Sequence, residues 1–157
     1  MSVKVISAKI APTPSWHTRK GDKKILASEQ YMLTMHLKKD GRDMFVVVTF
    51  KQSFTINGLS VPPKLRWFLP NWKDDDQLYN TAGAVHDWLY ATKGNYGMFK
   101  RSECDDIFRG ILRESGINRL HASTADFMLG IFGGGSSHWG DDEFGASVFA
   151  RLEIVAC

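Results

Sequence analysis

The segment His86-Asp87-Trp88-Leu89-Tyr90 places an imidazole, a carboxylate and a phenol within five consecutive residues. Imidazole and carboxylate groups are the commonest carriers of acid–base and metal chemistry in proteins. If the segment is helical, His86 and Tyr90 are four residues apart and share one flank of the helix. Asp87 then lies about 100° further round. His86 and Tyr90 can therefore face the same cleft, with Asp87 beside them.

A second carboxylate is predicted to face this flank from the following helix. Asp105 lies at the edge of an apolar stripe with helical spacing, and Asp106 points away from that stripe. Two helices joined by about ten residues usually pack antiparallel. We therefore expect Asp105 to approach His86 or Asp87 across the helix pair. The stripe consists of Cys104, Ile107, Phe108, Ile111 and Leu112.

This arrangement supports two mechanisms and one purely structural alternative. In the first mechanism, Asp105 orients His86, which deprotonates a water or a hydroxyl, and Tyr90 donates a hydrogen bond. In the second, His86 and the carboxylates, with Asp87 as a ligand, hold a divalent metal that activates water. Zinc would be favoured by histidine ligands and calcium by oxygen ligands. Alternatively, His86 and Asp105 only satisfy each other as a half-buried polar pair.

Composition limits the classes of protein that this chain can represent. Its 157 residues fit a single domain, residues 1–157, that is large enough to bury a core. The net charge of +3, from 20 basic and 17 acidic residues, is too small and too dispersed to indicate nucleic-acid binding. Cys104 and Cys157 are read as free thiols in a reducing compartment. No apolar stretch approaches the roughly 20 residues that a membrane span needs.

The first half of the chain predicts strands. Residues 3–10 alternate apolar and polar side chains, which is typical of a strand. Residues 31–37 and 44–50 are rich in aromatic and β-branched residues, and Asp40-Gly41 between them predicts a hairpin turn. Residues 11–24 are predicted to be a loop, and residues 51–77 an ordered loop packed on the core.

The second half predicts mainly helices, so the expected fold is α+β. Helices are expected over residues 78–93, from Ser102 onwards with Asp105 in a capping box, and over about 118–132. A last strand is expected over residues 146–155. His121 and His138 would be additional metal ligands only if the fold brought them near His86, and no spacing requires that.

Three segments together resemble a family of phage and prophage proteins of unknown function. Members of that family carry a Phe-x-Thr-Asp-x-Ala-Ser-x-Pro segment, an Ala-x-x-His-Asp-x-Leu-Tyr helix and an Ala-Asp-x-x-Phe helix. The corresponding segments here are residues 54–62, residues 84–90, and Cys104-Asp105 with Phe108, and the resemblance spans roughly residues 31–135. The resemblance implies a phage origin and a small α+β domain. It does not imply a particular activity. The polar positions that it carries over are Asn57, Ser60, His86, Asp87, Tyr90 and Asp105.

This sequence departs from the family pattern at several positions, and two of them flank Gly58 in the first segment. Asn57 stands where the family has Asp, and Leu59 where it has Ala. Asn keeps a carbonyl oxygen but has no charge, so metal binding or base catalysis at position 57 would be weakened. The His-Asp-x-x-Tyr spacing is also similar to the catalytic helix of secreted phospholipases A2, where an Asp on a second antiparallel helix supports the His. The calcium-binding glycine loop and the disulfides of those enzymes are absent.

These observations leave three functions open. The first is a phage-encoded hydrolase with His86, Asp105 and Tyr90 in the catalytic site, Asn57 and Ser60 binding substrate, and Asp87 as a metal ligand. The second is a non-catalytic virion component, such as a tail or head-tail accessory protein, because Trp67, Phe68, Trp72 and Trp139 look exposed. The third is a protein that binds a host partner. The first and third would act in the host cytoplasm, and the second in the virion.

Overall fold

The computed structural model describes residues 3–19, 23–57, 70–116, 139–142 and 145–157. Strands precede helices along most of the chain, and one strand follows them. In order, the elements are β1 Val3–Ala11, β2 Trp16–Thr18, β3 Lys24–Leu26, β4 Gln30–Lys39, β5 Arg42–Lys51, β6 Thr55–Ile56, α1 Gln77–Ala91, α2 Lys93–Gly97, α3 Arg101–Glu114, α4 Ala146–Phe149 and β7 Ala150–Ala156. The α+β prediction is therefore confirmed.

Four strands form the main antiparallel sheet, in the order β1-β4-β5-β7. The predicted hairpin is its centre: β4 and β5 pair from Gln30 opposite Lys51 to Lys39 opposite Arg42. The turn residues Asp40 and Gly41 have φ angles of 52° and 77°. Two consecutive positive φ angles match the right-handed twist of the strands, which explains why Asp-Gly is found there.

One face of this sheet carries the core and receives the helices. Side chains alternate between buried and exposed along β4, including buried Leu33 and Met35, and Val46 and Val48 of β5 are buried on the same face. Helix α3 lies along β1, and the two approach closely at Gly110: a Cβ at that position would overlap the side chain of Val5. This close approach fixes α3 against the sheet edge and so fixes the position of Asp105.

A second, three-stranded sheet was not predicted from the sequence. Strand β3 pairs with β2 on one side and with β6 on the other, and both β2 and β6 lie in segments expected to be loops. These strands are two or three residues long, too short for periodicity to detect. Trp16 on β2 packs edge-on against Tyr31 and Trp72, with ring centroids 6.0 and 5.2 Å apart.

Helix α1 begins and ends close to the predicted positions. Asp76 caps it, since its Oδ1 accepts a hydrogen bond of 3.0 Å from the N–H of Tyr79. The helix is followed by α2, in which Gly94, Asn95 and Tyr96 all have φ between 56° and 74°. Segment α2 is therefore a single left-handed turn, and it reverses the chain direction between α1 and α3.

Helix α3 begins one residue before the predicted start, and its cap differs from the predicted one. Glu103 Oε1 accepts a hydrogen bond of 2.8 Å from the N–H of Lys100, so the expected pairing of Ser102 with Asp105 was wrong. Glu103 lies in the first turn of α3 and caps the helix, so the carboxylate of Asp105 can bond to other residues. The predicted apolar stripe of α3 is buried throughout.

The remaining predictions have mixed outcomes. The last strand begins at Ala150 rather than 146, because residues 146–149 form α4. Cys104 and Cys157 are both free thiols. The helix predicted over 118–132 lies outside the described residues. Among the described helices, none is long and apolar enough to cross a membrane.

Candidate functional site

Helix α1 is buried on almost all sides, so its polar side chains need partners inside the protein. Buried polar groups are nearly always hydrogen-bonded. Thr81 Oγ1 lies 3.0 Å from the hydroxyl of Tyr31. Asn80 makes two hydrogen bonds with the backbone of Lys73, at 2.7 and 2.9 Å. His86 and Tyr90, near the other end of the helix, meet the same need through α3.

Asp105 joins His86 and Tyr90 through a single carboxylate oxygen. Its Oδ1 lies 2.9 Å from Nε2 of His86 and accepts a hydrogen bond of 2.8 Å from the Tyr90 hydroxyl. The contact expected across the antiparallel helices is present. It forms because α1 and α3 pack along their lengths and Asp105 faces the flank that His86 and Tyr90 share. We call His86, Tyr90 and Asp105 the dyad cluster.

Aromatic rings hold the imidazole of His86 in place. The ring of Tyr90 lies 4.2 Å from it and that of Phe108 lies 5.0 Å from it, centroid to centroid. Trp139 packs edge-on against Tyr90 at 5.1 Å. The N–H of Gly140 also donates a hydrogen bond of 2.7 Å to the carbonyl of Tyr90. The cluster is therefore packed against the aromatic rings of Phe108 and Trp139.

The dyad cluster is shielded but reached by solvent. The side chains of His86 and Asp105 are 11% and 19% exposed. When Nε2 carries the proton donated to Asp105, Nδ1 of His86 holds a lone pair. Among the described residues, none forms a hydrogen bond with that Nδ1. Burial, followed by the hydrogen bond to Asp105, raises the pKa of Tyr90, so its hydroxyl stays protonated as a donor at neutral pH.

Asp87 does not join the dyad cluster. It is partly buried on the next flank of α1, and no described residue forms a hydrogen bond with it. Burial raises the pKa of its carboxyl to about 7, against a smaller opposite effect of His86. A carboxyl whose charged form lacks partners is most stable when it is protonated or beside a cation. Within the described ranges, no three His, Cys, Asp or Glu side chains converge to hold a metal ion.

The other predicted site residues lie away from the dyad cluster or outside the described residues. Asn57 follows β6, and its carbonyl accepts a hydrogen bond of 2.8 Å from the side chain of Asn71. That contact lies beside the first half of α1, since Lys73 bonds Asn80 there. His86 is about two helical turns further on. Ser60, His121 and His138 lie outside the described residues.

The aromatic residues that looked exposed are partly buried where they are described. Trp72 and Trp139 both pack against the hydrophobic core. Each contacts another ring edge-on, Trp16 in the first case and Tyr90 in the second. The expectation that these two side chains are exposed was therefore wrong. Trp67 and Phe68 lie outside the described residues.

A second His–Asp pair was missed in the sequence. His36 Nε2 lies 2.8 Å from Oδ1 of Asp43 on the outer face of the hairpin, and the imidazole stacks on Phe45 at 4.3 Å. The hydrogen bond from His36 lowers the pKa of Asp43. The register could have revealed the pair, since Asp43 is diagonal to His36 across the two strands. Unlike the dyad cluster, this pair receives no hydrogen bond from a tyrosine among the described residues, and Asp43 is 53% exposed.

One family model covers the part of the chain that contains both the hairpin and the dyad cluster. The model described as "Protein of unknown function (DUF1353)" matches residues 31–128, more than half of the chain. The chain belongs to this DUF1353 family. Its matched region includes His86, Tyr90 and Asp105. No curated protein and no solved structure matches the chain. For this DUF1353 protein, the function has to be argued from the geometry of the site.

Proposed function

We propose that the chain is a phage-encoded hydrolase in which His86 activates water as a general base. One observation carries the proposal: Asp105 Oδ1 accepts from both His86 Nε2 and the Tyr90 hydroxyl, at 2.9 and 2.8 Å. A carboxylate held by two donors has a fixed orientation and in turn fixes the imidazole. The phage assignment is supported by the sequence resemblance described above.

In the proposed reaction, Nδ1 of His86 takes a proton from a water molecule that attacks the scissile bond. The imidazolium is stabilised by Asp105, which remains ionised and accepts the Nε2–H throughout. Nδ1 then returns the proton to the leaving group, so the cycle consumes one water and restores the neutral imidazole. Tyr90 acts as a positioning residue, because its hydroxyl donates to Asp105.

Asp87 is the proposed ligand of a divalent cation beside the imidazole. Two observations support this role. Burial raises the pKa of the partly buried Asp87 carboxyl to about 7, and no described residue donates a hydrogen bond to it. A calcium or zinc ion there would polarise the substrate and stabilise developing negative charge. Asn57 and Ser60 stay proposed substrate-binding residues, carried over from the family pattern.

The test is an activity screen of the purified protein against lipid, peptidoglycan and nucleotide substrates, with and without Ca²⁺ or Zn²⁺. The variants are His86→Ala and Asp105→Asn. We expect hydrolysis of one class, a large loss in His86→Ala, and a loss of roughly 10²- to 10⁴-fold in Asp105→Asn. No hydrolysis of any class by the folded wild-type protein contradicts the proposal.

The chain offers a matched control in its other His–Asp pair. His36→Ala removes an imidazole bonded to a carboxylate at 2.8 Å, as in the dyad cluster, but on the outer sheet face. We expect His36→Ala to keep full activity. A loss of activity in His36→Ala equal to that in His86→Ala would indicate an effect on folding rather than on chemistry.

A non-catalytic virion component is the second candidate, and the outer face of the main sheet favours it. Ile6, Met32 and Phe45 are large apolar side chains, and they are 37–39% exposed there. Such side chains could pack against another virion protein. Mass spectrometry of purified particles tests this: the protein should be present in fixed copy number, and its absence rules out the candidate.

A further inference from the structure

Strand β7 is an edge of the main sheet, and one side of it is unpaired among the described residues. The sheet order β1-β4-β5-β7 gives β7 a single neighbour, β5. An edge strand presents backbone N–H and C=O groups that can pair with a further strand, and proteins often block such edges with lysine, proline or a covering segment. The sequence of β7, Ala150–Ala156, contains neither lysine nor proline.

The opposite edge of the sheet, β1, carries the protection that β7 lacks. Lys4 and Lys9 are exposed on β1, and Pro12 follows its last residue. The N–H of Val3 is also occupied, since it donates a hydrogen bond of 3.1 Å to Oδ2 of Asp106. Of the two edges, β7 is therefore the one that is better suited to pairing with another strand.

Large apolar side chains are exposed at this edge and beside it. Ile154 and Val155 on β7 are 44% and 59% exposed, and Val148 in the preceding α4 is 67% exposed. Ile154 is on the core side of the sheet, because it is opposite Val46, which is fully buried. The core-side row of β7 is therefore incompletely covered, which favours a partner at this edge.

Two exposed charges on β7 are complementary to a second copy of the same strand. Arg151 and Glu153 are on the outer face of the sheet, 62% and 57% exposed, and Arg151 Nε lies 3.0 Å from Glu153 Oε1. When two identical strands pair antiparallel about a two-fold axis, one residue faces its own copy. With Leu152 at the axis, each Arg151 is opposite a Glu153 of the other copy. With Arg151 or Glu153 at the axis, like charges would meet, which is destabilising.

The backbone of β7 selects the same centre. Its pairing with β5 is regular over residues 150–154. Val155 is then an extra residue that is opposite no residue of β5. A bulge of this kind interrupts the ladder and bends the strand. The regular part of β7 is therefore centred on Leu152, which is the residue that the charges place at the two-fold axis.

We propose that two copies of the chain dimerise through β7, paired antiparallel with Leu152 at the two-fold axis. The two four-stranded sheets would then form one continuous sheet. Both Arg151 and both Glu153 side chains would form ion pairs across the interface on its outer face. Because the ladder covers only residues 150–154, the interface is small and the dimer should be weak. The interface contains no residue of the dyad cluster, so dimerisation can fail without affecting the His86 proposal.

Sedimentation equilibrium of the full chain from about 10 µM to about 1 mM measures the dissociation constant of the dimer. We expect a concentration-dependent equilibrium between monomer and dimer. Arg151→Glu brings four carboxylates together at the interface, and Glu153→Arg brings four guanidinium groups together. Each single variant should weaken dimerisation by about 10-fold or more, because two ion pairs are replaced by like charges. The double variant Arg151→Glu, Glu153→Arg exchanges the charges and should restore the wild-type dissociation constant.

Mixing the two single variants tests the register directly, because one has only acidic and the other only basic side chains at positions 151 and 153. An equimolar mixture should dimerise with about the wild-type dissociation constant, although neither variant does so alone. Lys9→Glu is the matched control: Lys9 is exposed on the opposite edge of the sheet, and the change in charge equals that of Arg151→Glu. This control should dimerise like the wild-type chain, and circular dichroism shows whether each variant is folded.

The proposal is overturned if the wild-type chain stays monomeric up to about 1 mM, or if Arg151→Glu dimerises as tightly as the wild-type chain. It is also overturned if the two folded single variants do not associate when they are mixed. A loss in Lys9→Glu equal to that in Arg151→Glu would overturn it as well, since net charge rather than the pairing of β7 would then explain the loss.

Discussion

Asp105 and Asp106 are consecutive residues of α3 whose carboxylates connect the helix to two different elements. Asp105 accepts from His86 and Tyr90 of α1, whereas Asp106 accepts from the N–H of Val3 at the start of β1. The 100° between neighbouring positions of a helix makes this division possible. These two carboxylates therefore hold α3 to α1 on one side and to β1 on the other. The orientation of the His86 imidazole depends on the placement of α3.

Removing the hydroxyl of Tyr90 should destabilise the protein while leaving the aromatic packing intact. Tyr90→Phe deletes the 2.8 Å hydrogen bond to Asp105 but keeps the ring against His86 and Trp139. We expect the free energy of unfolding to fall by about 1–3 kcal/mol, because a hydrogen bond to a charged group is lost. Urea denaturation measures it. Tyr96→Phe is the control, since Tyr96 is 75% exposed and should show little change.

The stability of the protein should fall as pH rises from about 4 to about 7, because of Asp87. Burial raises the pKa of this carboxyl from 3.8 to about 7 in the folded state. Over that interval the folded protein keeps a proton that the unfolded chain has released, so deprotonation favours unfolding. Since Asp87 is only partly buried, we expect a contribution of about 2–4 kcal/mol, complete above pH 7.

The variant Asp87→Asn isolates this contribution. Its amide does not titrate, so its free energy of unfolding should change less between pH 4 and 8 than that of the wild-type protein. Asp87→Asn should be the more stable of the two at pH 8 and about equal at pH 4. Parallel stability curves for the two proteins would show that Asp87 carries no shifted pKa. A calcium-dependent rise in stability at pH 8 in the wild-type protein alone would support the cation proposal.

Substituting Gly94 should disrupt the connection between α1 and α3. Gly94 has φ of 74°, and a Cβ at this position would overlap the backbone carbonyl of Phe99. We expect Gly94→Ala to cost about 3 kcal/mol of unfolding free energy, since backbone rather than a flexible side chain must move. Gly41→Ala is the control: φ is 77° but no atom lies within 4 Å. It should cost only about 1–2 kcal/mol.

Asp76 should be more important to stability than an ordinary helix cap. One carboxylate oxygen caps α1 at Tyr79, and the other accepts a hydrogen bond of 2.9 Å from the N–H of Gly116, beyond the end of α3. Asp76→Ala removes both, so we expect a loss of about 2–3 kcal/mol in denaturant unfolding. Asp75→Ala, at the exposed neighbouring position, should change stability by less than about 0.5 kcal/mol.

Much of the architecture followed from local patterns. The Asp40-Gly41 turn, the alternation along β4, and the apolar stripe of α3 each depend on neighbouring residues, and all appear in the structure. The contact of Asp105 with His86 was also expected, because it needs only two amphipathic helices joined by a short connection.

The rest depends on contacts between residues distant in sequence. Strands β2, β3 and β6 are two or three residues long and exist only because they pair with one another. The cap of α3 depends on which carboxylate reaches the N–H of Lys100. Glu103 does so. Asp105, which was predicted to take part in the cap, bonds to His86 and Tyr90 instead. The close approach of Gly110 to Val5 could not be predicted, since it joins a helix to a strand that is distant in sequence.

The chain between His86 and Asp105 is fully structured, from the end of α1 through the left-handed turn to the first turn of α3. One residue inserted into or deleted from either helical part would rotate one partner by about 100° relative to the other. Insertion or deletion at the turn would meet the close approach of Gly94 to Phe99. The 19-residue separation of His86 and Asp105 is therefore a length constraint: a change in the number of residues between them would separate the two side chains.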